Sequence, residues 1–455
     1  MHEEIVPKTS FFYRMFRFYV RLLHDYIYYK KTYSFGIENL PADGTPLIIA
    51  SNHQNCLCDA LAILYSGIKR KPYYITRADA FEIKGARKFF IGLGLLPAYR
   101  LDFEGETSLK NNLYTFELSQ QYLLKGTSIV IFPEAGHQDK HYLGNFSLAY
   151  LRMAFDAAQR SDFKENIYIL PACNHYSQYF PIREEVLVKF GKPIALQPYY
   201  DLYQTKPRTA QRQINELVRQ QINDMMLNIN DLDNYKAIDF LRNHFRWCRN
   251  GGKMGEKLKL PKQLEIDKRI FACLEFEKID NEQNINQLYK NTTQLETLYK
   301  QFHIQESDFH KKTSCLGLCF QILLALICLP LWIVSLFPAV FIYQIPRIFN
   351  RMMPDIMFES TFRIAIMALF TIPLFLGATV ALIWIFTKWW IALLFLVASP
   401  AIALFSWYYV SKTKAIIRQL RLKFLKKSAK FKAVTQLRET VCTDFANCIN
   451  KIDKK

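Results

Sequence analysis

The chain has 455 residues, which is enough for two or three domains and excludes a disulfide-stapled miniprotein. Its 59 Lys and Arg against 40 Asp and Glu give a net charge of +19, and its 51% hydrophobic content excludes a disordered chain. Positive charge on so apolar a chain favours an anionic membrane surface over nucleic acid as a partner. Ten cysteines without a CxxC pair favour reduced thiols over a disulfide framework or zinc ribbon.

Residues 1–34 are predicted to contain an amphipathic helix. Arg14, Arg17 and Arg21 recur at helical spacing among aromatic and aliphatic side chains. Such a helix is suited to lying in a membrane interface, although packing on its own domain fits the same periodicity. The charged start of the chain lacks an apolar core, so no secretory signal peptide is expected.

Residues 35–200 are predicted to form an α/β domain with a partly parallel sheet. Short β-branched or aliphatic runs alternate with segments of helical period. Polar motifs follow several of these runs, at the sheet edge where such domains bind ligands. The runs are residues 46–50, 73–76, 128–132, 167–170 and 186–190, and the helical segments include 59–68 and 146–159.

Residues 201–312 are charged and predicted to be helical, with helices near 210–227, 232–249, 262–278 and 282–302. Residues 313–410 follow as a membrane-embedded helical region. Three runs without a charged residue, 315–343, 364–387 and 389–410, each exceed the roughly 18 residues typical of an embedded segment. Because the first run contains Pro330 and Pro338, it is predicted to be re-entrant or an in-plane hairpin. Residues 411–455 form a basic tail, expected to face the cytoplasm and contact anionic headgroups.

A histidine and a carboxylate stand just after the first predicted strand of the α/β domain. His53 can accept a proton from a hydroxyl, and Asp59, six residues later, can fix its tautomer. Most such pairs are merely structural, so the pairing is weak evidence alone. Cys56 and Cys58 lie between them and are interpreted as packing residues rather than nucleophiles.

Further polar groups follow two later strands. Arg100, after Pro97, offers a planar fork suited to a phosphate. Glu134 follows the strand at 128–132, and Gly136 beside it lets a ligand approach the backbone.

Together these residues resemble the phospholipid/glycerol acyltransferase family. Asn52-His53 with Asp59, Pro97 with Arg100, Phe132-Pro-Glu134 with Gly136, and Leu170-Pro171 occur in the order of that family's four motifs. The resemblance implies that His53 is the general base and Asp59 its orienting carboxylate. It further implies that Asn52, Arg100, Glu134 and Gly136 bind substrate, and that neither a metal nor another cofactor is needed.

Two departures point to a particular branch of the family. Five residues separate His53 from Asp59 instead of four, and Phe132-Pro-Glu-Ala-Gly-His replaces the common Phe-Pro-Glu-Gly-Thr-Arg. Both resemble the glycerol-3-phosphate and dihydroxyacetone-phosphate acyltransferases. The motif arginine is missing, and Lys140 or Arg77 is a possible substitute.

The resemblance thus predicts a membrane-bound O-acyltransferase of phosphatidic acid and phospholipid biosynthesis, which transfers a fatty acyl group to the hydroxyl of glycerol-3-phosphate or dihydroxyacetone phosphate. Its partners would be membrane lipids, an acyl-CoA or acyl-carrier-protein thioester and a phosphorylated glycerol, and not nucleic acid. Acylation of 1-acyl-glycerol-3-phosphate and a non-enzymatic membrane protein are the alternatives. A zinc site at His137, His141 and His175 is a minor one.

Overall fold

The computed structural model describes residues 9–82, 85–98, 106–134, 136, 140–248, 258–310, 313–350, 358–386, 389–426 and 428–452. Packing divides the chain into two compact units, Met1–Asn228 with Met353–Ile364, and Ile229–Met352 with Ala365–Lys455. The five segments predicted from composition divide the chain at other positions, and that division stays a prediction.

The first unit contains an eight-stranded sheet. Its strands are β1 Lys31–Phe35, β2 Leu47–Ser51, β3 Pro72–Arg77, β4 Leu95–Ala98, β5 Ser128–Ile131, β6 Tyr168–Tyr176, β7 Glu185–Phe190 and β8 Ile194–Ala195. Their order is β1-β7-β6-β2-β5-β3-β4, and β8 pairs with β6. Most neighbours are parallel, while β6 is antiparallel to both β7 and β8. The prediction of an α/β domain with a partly parallel sheet is confirmed.

Helices accompany the strands of this unit: α1 Phe11–Leu22, α2 Leu57–Tyr65, α3 Ala86–Leu93, α4 Glu106–Leu124, α5 Ala149–Arg160, α6 Tyr200–Thr205 and α7 Pro207–Met225. A single core joins the sheet to α5 and α7, in which Ile48 and Ile129 pack with Phe155, Ile214 and Val218. Helix α7 therefore belongs to the sheet domain, beyond the boundary at residue 200 that composition suggested.

Helix α1 continues as a π-helical turn, Leu23–Tyr28. Its Arg17 guanidinium donates to the backbone carbonyls of Ile68 at 2.5 Å and Leu64 at 3.3 Å, which attaches one face of the helix to the domain. Phe11 and Phe18 on the other side are 70% and 63% exposed. One face thus packs on the domain, and an apolar face remains for an interface.

The second unit is helical: α8 Tyr235–Phe245, α9 Leu260–Asp280, α10 Glu282–Phe302, α11 Glu306–Phe309, α12 Cys315–Ala339, α13 Ile345–Asn350, α14 Glu359–Ile366, α15 Ile372–Phe386, α16 Trp389–Leu425 and α17 Ala429–Ile452. The first six residues of α14 belong to the first unit. Helices near 210–227, 232–249, 262–278 and 282–302 were predicted correctly, with boundaries shifted by a few residues.

Two arginines of the basic tail bond to buried carboxylates of the second unit. Arg418 contacts Asp308 at 3.1 Å, and Arg438 forms an ion pair with Glu306. Both carboxylates are almost fully buried. These two arginines therefore stabilise the fold, and the contact of the tail with anionic headgroups stays a prediction.

Three described helices are long and apolar enough to cross a membrane: Cys315–Phe349, Glu359–Ala381 and Trp389–Leu425. The first is continuous through Pro330 and Pro338, so the prediction of a hairpin broken at the prolines is wrong. A π-helical turn at Val340–Gln344 follows Pro338, and such a turn helps a helix to accommodate a missing hydrogen bond.

Candidate active site

The predicted site residues lie where parallel strands end. His53 follows β2, Glu134 follows β5, and both strands are paired side by side. The loop after β2 turns into α2, which carries Asp59 in its first turn. The structure thus brings His53, Asp59 and Glu134 together at the carboxyl edge of the sheet, as the sequence predicted.

The Asp59 carboxylate is completely buried and accepts four hydrogen bonds. One oxygen accepts from the backbone N–H groups of Gln54 and Asn55, both at 2.7 Å, and contacts His53 Nδ1 at 2.9 Å. The other accepts from the Tyr176 hydroxyl at 2.7 Å. These four donors satisfy the buried carboxylate and fix its orientation beside the imidazole.

The His53 ring is fixed on two sides. Its Nδ1 contacts Asp59, and its face stacks on Phe132 with the ring centroids 4.2 Å apart and an interplanar angle of 17°. Because Nδ1 is directed at a carboxylate, it carries the ring proton, and Nε2 is the nitrogen that can accept one. The side chain is 19% exposed, so it is accessible from the sheet edge.

Glu134 bridges the loops that follow β2 and β5. One carboxylate oxygen accepts from the His53 backbone N–H at 2.8 Å, and the other accepts from the Gly144 N–H at 2.9 Å. Burial raises the pKa of Glu134 to about 7, against the opposing effect of these two N–H donors. These contacts make Glu134 a support of the His53 backbone, and its predicted role in binding the acceptor stays a prediction.

Asn52 is also buried, and its side-chain amide is hydrogen-bonded within the protein. Its amide donates to the Asn174 carbonyl at 3.0 Å and accepts from the Asn174 N–H at 2.7 Å. The pair joins the end of β2 to β6. Asn52 thus anchors the loop that carries His53, and the substrate-binding role predicted for it is not tested by these contacts.

The two remaining predicted site residues are Arg100 and Gly136. Arg100 lies outside the described residues, so its predicted phosphate contact stays a prediction. Gly136 is exposed, and a Cβ added to it would meet open space among the described residues. That openness is compatible with the close approach of a ligand.

Cys58 lies beside the His53–Asp59 dyad, and two histidines of the alternative zinc site lie among the described residues. Burial raises the pKa of Cys58 to about 12, which fits the prediction that it is a packing residue. His141 Nδ1 contacts the Tyr179 hydroxyl at 2.9 Å, and His137 lies outside the described residues. Within the described ranges, no group of three or more His, Cys, Asp or Glu side chains could hold a metal ion.

Comparison with known proteins relates the segment that forms this edge of the sheet to a known protein family. The family model "Acyltransferase" matches residues 32–175, the segment that contains His53, Asp59 and Glu134. Residues 32–175 are an acyltransferase domain.

Two curated plant proteins are similar to part of this domain. The chloroplastic 1-acyl-sn-glycerol-3-phosphate acyltransferase LPAT1 of Arabidopsis thaliana is 30% identical over 111 residues, which are 24% of this chain and 29% of that protein. The chloroplastic 1-acyl-sn-glycerol-3-phosphate acyltransferase BAT2 of Brassica napus is 29% identical over 111 residues, 24% of this chain and 30% of that protein. The chain thus spans less than a third of the length of either relative.

One solved structure is also similar, the 1-acyl-sn-glycerophosphate (LPA) acyltransferase PlsC from Thermotoga maritima. It matches with a TM-score of 0.33 and 13% identity, over 47% of this chain and 79% of that one.

Several residues around the dyad of the acyltransferase domain were missed by sequence analysis. Tyr176 reaches Asp59 from β6, and Tyr179 donates to Gln54 Oε1 at 3.0 Å from the loop after β6. Thr361, more than 300 residues away in the chain, accepts from the Leu57 N–H at 3.1 Å. Position 176 lies two residues after Asn174 on one strand face, but no local signal links Thr361 to this site.

Proposed function

We propose that this chain transfers an acyl group from a thioester to a hydroxyl of a phosphorylated glycerol, with 1-acyl-sn-glycerol-3-phosphate as the first candidate acceptor. The contact between His53 Nδ1 and Asp59 at 2.9 Å carries the proposal, because it lies in the acyltransferase domain at the ligand-binding edge of the sheet. This acceptor is supported by the two plant relatives, which are both 1-acyl-sn-glycerol-3-phosphate acyltransferases.

The proposed reaction needs one proton acceptor and good positioning. His53 Nε2 takes the proton of the acceptor hydroxyl while its oxygen attacks the thioester carbonyl carbon. The carbon–sulfur bond then breaks, and the imidazolium returns the proton to the departing thiolate. Asp59 keeps the ring oriented and stabilises its positive charge during this exchange. A thioester is already activated, so holding two reactants in line supplies much of the remaining catalysis.

Glycerol-3-phosphate or dihydroxyacetone phosphate is the second candidate acceptor. The five residues between His53 and Asp59 and the Ala-Gly-His sequence after Glu134 favour it, since both resemble that branch of the family. Acyl-CoA and acyl-carrier protein are both candidate donors. Either acceptor carries a phosphate, for which Arg100 is the proposed ligand.

The membrane is the proposed setting of the reaction, with membrane lipids as partners. Three helices of sufficient length and apolarity support embedding. We further propose that the acyltransferase domain and the basic tail face the cytoplasm, because Lys and Arg concentrate on that side of membrane proteins.

The test is an assay of the purified full chain in detergent with labelled acyl-CoA or acyl-carrier protein. Each acceptor is offered separately, and labelled lipid product is extracted and counted. Transfer to 1-acyl-glycerol-3-phosphate, lost in His53→Gln, is the expected result. Transfer to glycerol-3-phosphate alone would select the second candidate. Absence of transfer with every donor and acceptor would favour a non-enzymatic membrane protein.

A further inference from the structure

Three residues at the start of the second apolar helix contact the loops around the proposed active site. Ser360, Thr361 and Arg363 lie in α14, and this part of the helix belongs to the same compact unit as the sheet. Ser360 is completely buried and Arg363 is 6% exposed. Their hydrogen bonds reach two places, the first turn of α2 and the loop between β6 and β7.

The first place is the N-terminus of the helix that carries Asp59. The first N–H groups of a helix have no partner inside it and need an acceptor from elsewhere. Cys56, the residue before α2, provides no side-chain cap. The Thr361 hydroxyl oxygen instead accepts from the Leu57 N–H at 3.1 Å. Thr361 therefore completes the helix end only two residues from Asp59.

The second place is the carbonyl of Tyr179. Ser360 Oγ donates to it at 3.0 Å, and so does Asn55 Nδ2, also at 3.0 Å. Asn55 is one of the two residues whose backbone N–H binds Asp59. One carbonyl thus links Ser360 to the loop that holds the Asp59 carboxylate.

The same loop is held at its next residue. Arg363 donates to the Phe180 carbonyl at 2.5 Å, and its other terminal nitrogen forms an ion pair with Glu359. The Tyr179 hydroxyl in turn donates to Gln54 Oε1 at 3.0 Å, so the loop also contacts the residue next to His53. A buried guanidinium with carbonyl and carboxylate partners is costly to displace.

We infer that Thr361 and Ser360 are positioning residues for the proposed acyl transfer, through which the start of an apolar helix holds the His53–Asp59 pair in its reactive geometry. The inference rests on the proposed function. It assigns the C-terminal region a part in catalysis besides embedding in the membrane. Because the two residues act through α2 and Asn55 and not on substrate, they should affect turnover more than substrate binding.

The decisive variant is Thr361→Val, which keeps the side-chain volume and removes the acceptor, with Thr361→Ser as the matched control that keeps it. The full chain in detergent is assayed with palmitoyl-CoA and the acceptor that the wild type uses. Thr361→Val should lower kcat about tenfold, because small misplacements of catalytic groups are costly, with both KM values within about twofold of wild type. Thr361→Ser should restore kcat to within about twofold.

A second measurement does not depend on activity. Hydrogen exchange of the wild type and Thr361→Val, followed by mass spectrometry, should show faster exchange in peptides covering residues 53–60 and unchanged exchange in strands β2 and β5. Wild-type kcat together with unchanged exchange in Thr361→Val would overturn the inference. A fall in kcat without faster exchange in residues 53–60 would also contradict it.

Two controls separate the possible failures. If Thr361→Val does not fold, Ser360→Ala is tested instead. Its kcat should fall about threefold, and a wild-type kcat in this variant would contradict the inference. A wild-type chain that transfers no acyl group would refute the proposed function. The exchange experiment would then still show whether Thr361 orders residues 53–60.

Discussion

Asp59 contacts His53 at 2.9 Å across a loop with five intervening residues. The longer loop keeps this contact because the N–H groups of Gln54 and Asn55 both turn onto the oxygen that meets the imidazole. The backbone reverses at Cys56, whose φ of 44° lies in a region that non-glycine residues rarely occupy. Strain of this kind persists where surrounding contacts determine the conformation, as the bonds to Asp59 and Thr361 do here.

Substitutions should distinguish the chemical role proposed for His53 from the orienting role proposed for Asp59. His53→Gln should reduce acyl transfer by about 10²- to 10⁴-fold with an unchanged melting temperature, since general-base catalysis is worth about that much. Asp59→Asn should reduce both transfer and stability, because Asp59 accepts four hydrogen bonds in a fully buried position. Initial rates and thermal unfolding in detergent check both. Near-normal turnover in His53→Gln would eliminate the mechanism.

Arg100 is expected to recognise the acceptor phosphate. Arg100→Ala should raise the KM for the phosphorylated acceptor about tenfold or more and leave the KM for the acyl donor nearly unchanged. Arg100→Lys should recover only part of the loss, because a point charge lacks the bidentate geometry of a guanidinium. Steady-state kinetics with each substrate varied in turn measures the effect. Equal changes in both KM values would count against the role.

Glu134 should make stability depend on pH. Its pKa of about 7 in the folded chain lies above the ordinary value, so the folded state binds this proton more tightly than the unfolded state. The stabilisation is complete below about pH 4.5 and is lost as the pH rises through 7. The melting temperature of the wild type relative to Glu134→Gln should therefore rise as the pH falls from about 8 to 5. A constant difference across that range would show that Glu134 titrates normally.

The ion pair between Arg438 and Glu306 should stabilise the second unit. Arg438→Met leaves Glu306, which is 1% exposed, without its guanidinium, and loss of one partner of a buried pair costs about 3–5 kcal/mol. Glu306→Gln added to Arg438→Met should recover part of this loss. Lys432→Met, at an exposed position of the same helix, is the matched control and should change stability by about 0.5 kcal/mol or less. Denaturant unfolding in detergent compares them.

The orientation in the membrane can be tested with single cysteines at Asn350 and Ser428 in an otherwise cysteine-free chain. Within the first unit, Ser360 and Arg363 bond to the acyltransferase domain, and within the second unit, Arg418 bonds to Asp308 ahead of the first apolar helix. Because Lys and Arg concentrate on the cytoplasmic side of membrane proteins, we expect both probes to face the cytoplasm. This requires that the continuous helix Cys315–Phe349 does not cross the membrane completely, since a complete crossing would put Asp308 and Asn350 on opposite faces. Both should resist an impermeant maleimide in sealed cells and react once the membrane is opened. Labelling of either site in sealed cells would contradict this orientation.

The sequence determined the features that depend on local order along the chain. Strands β2, β3, β5, β6 and β7 could be predicted because β-branched and aliphatic runs alternate with helical periods. His53, Asp59 and Glu134 could be predicted to meet because each follows or lies next to the end of a parallel strand. Charge-free runs likewise revealed the apolar helices, since length and composition suffice for that prediction.

Only the tertiary structure decided which side chains support the dyad and how the prolines are accommodated. Tyr176 and Thr361 reach Asp59 and Leu57 from distant parts of the chain, and such contacts leave no periodic signal in the sequence. Arg438 looked like part of a basic block because the sequence does not show that Glu306 packs against it. Pro330 predicted a break, but the helix continues through it. Local propensity and spacing are written along the chain, whereas the partners of buried polar groups depend on the folded arrangement.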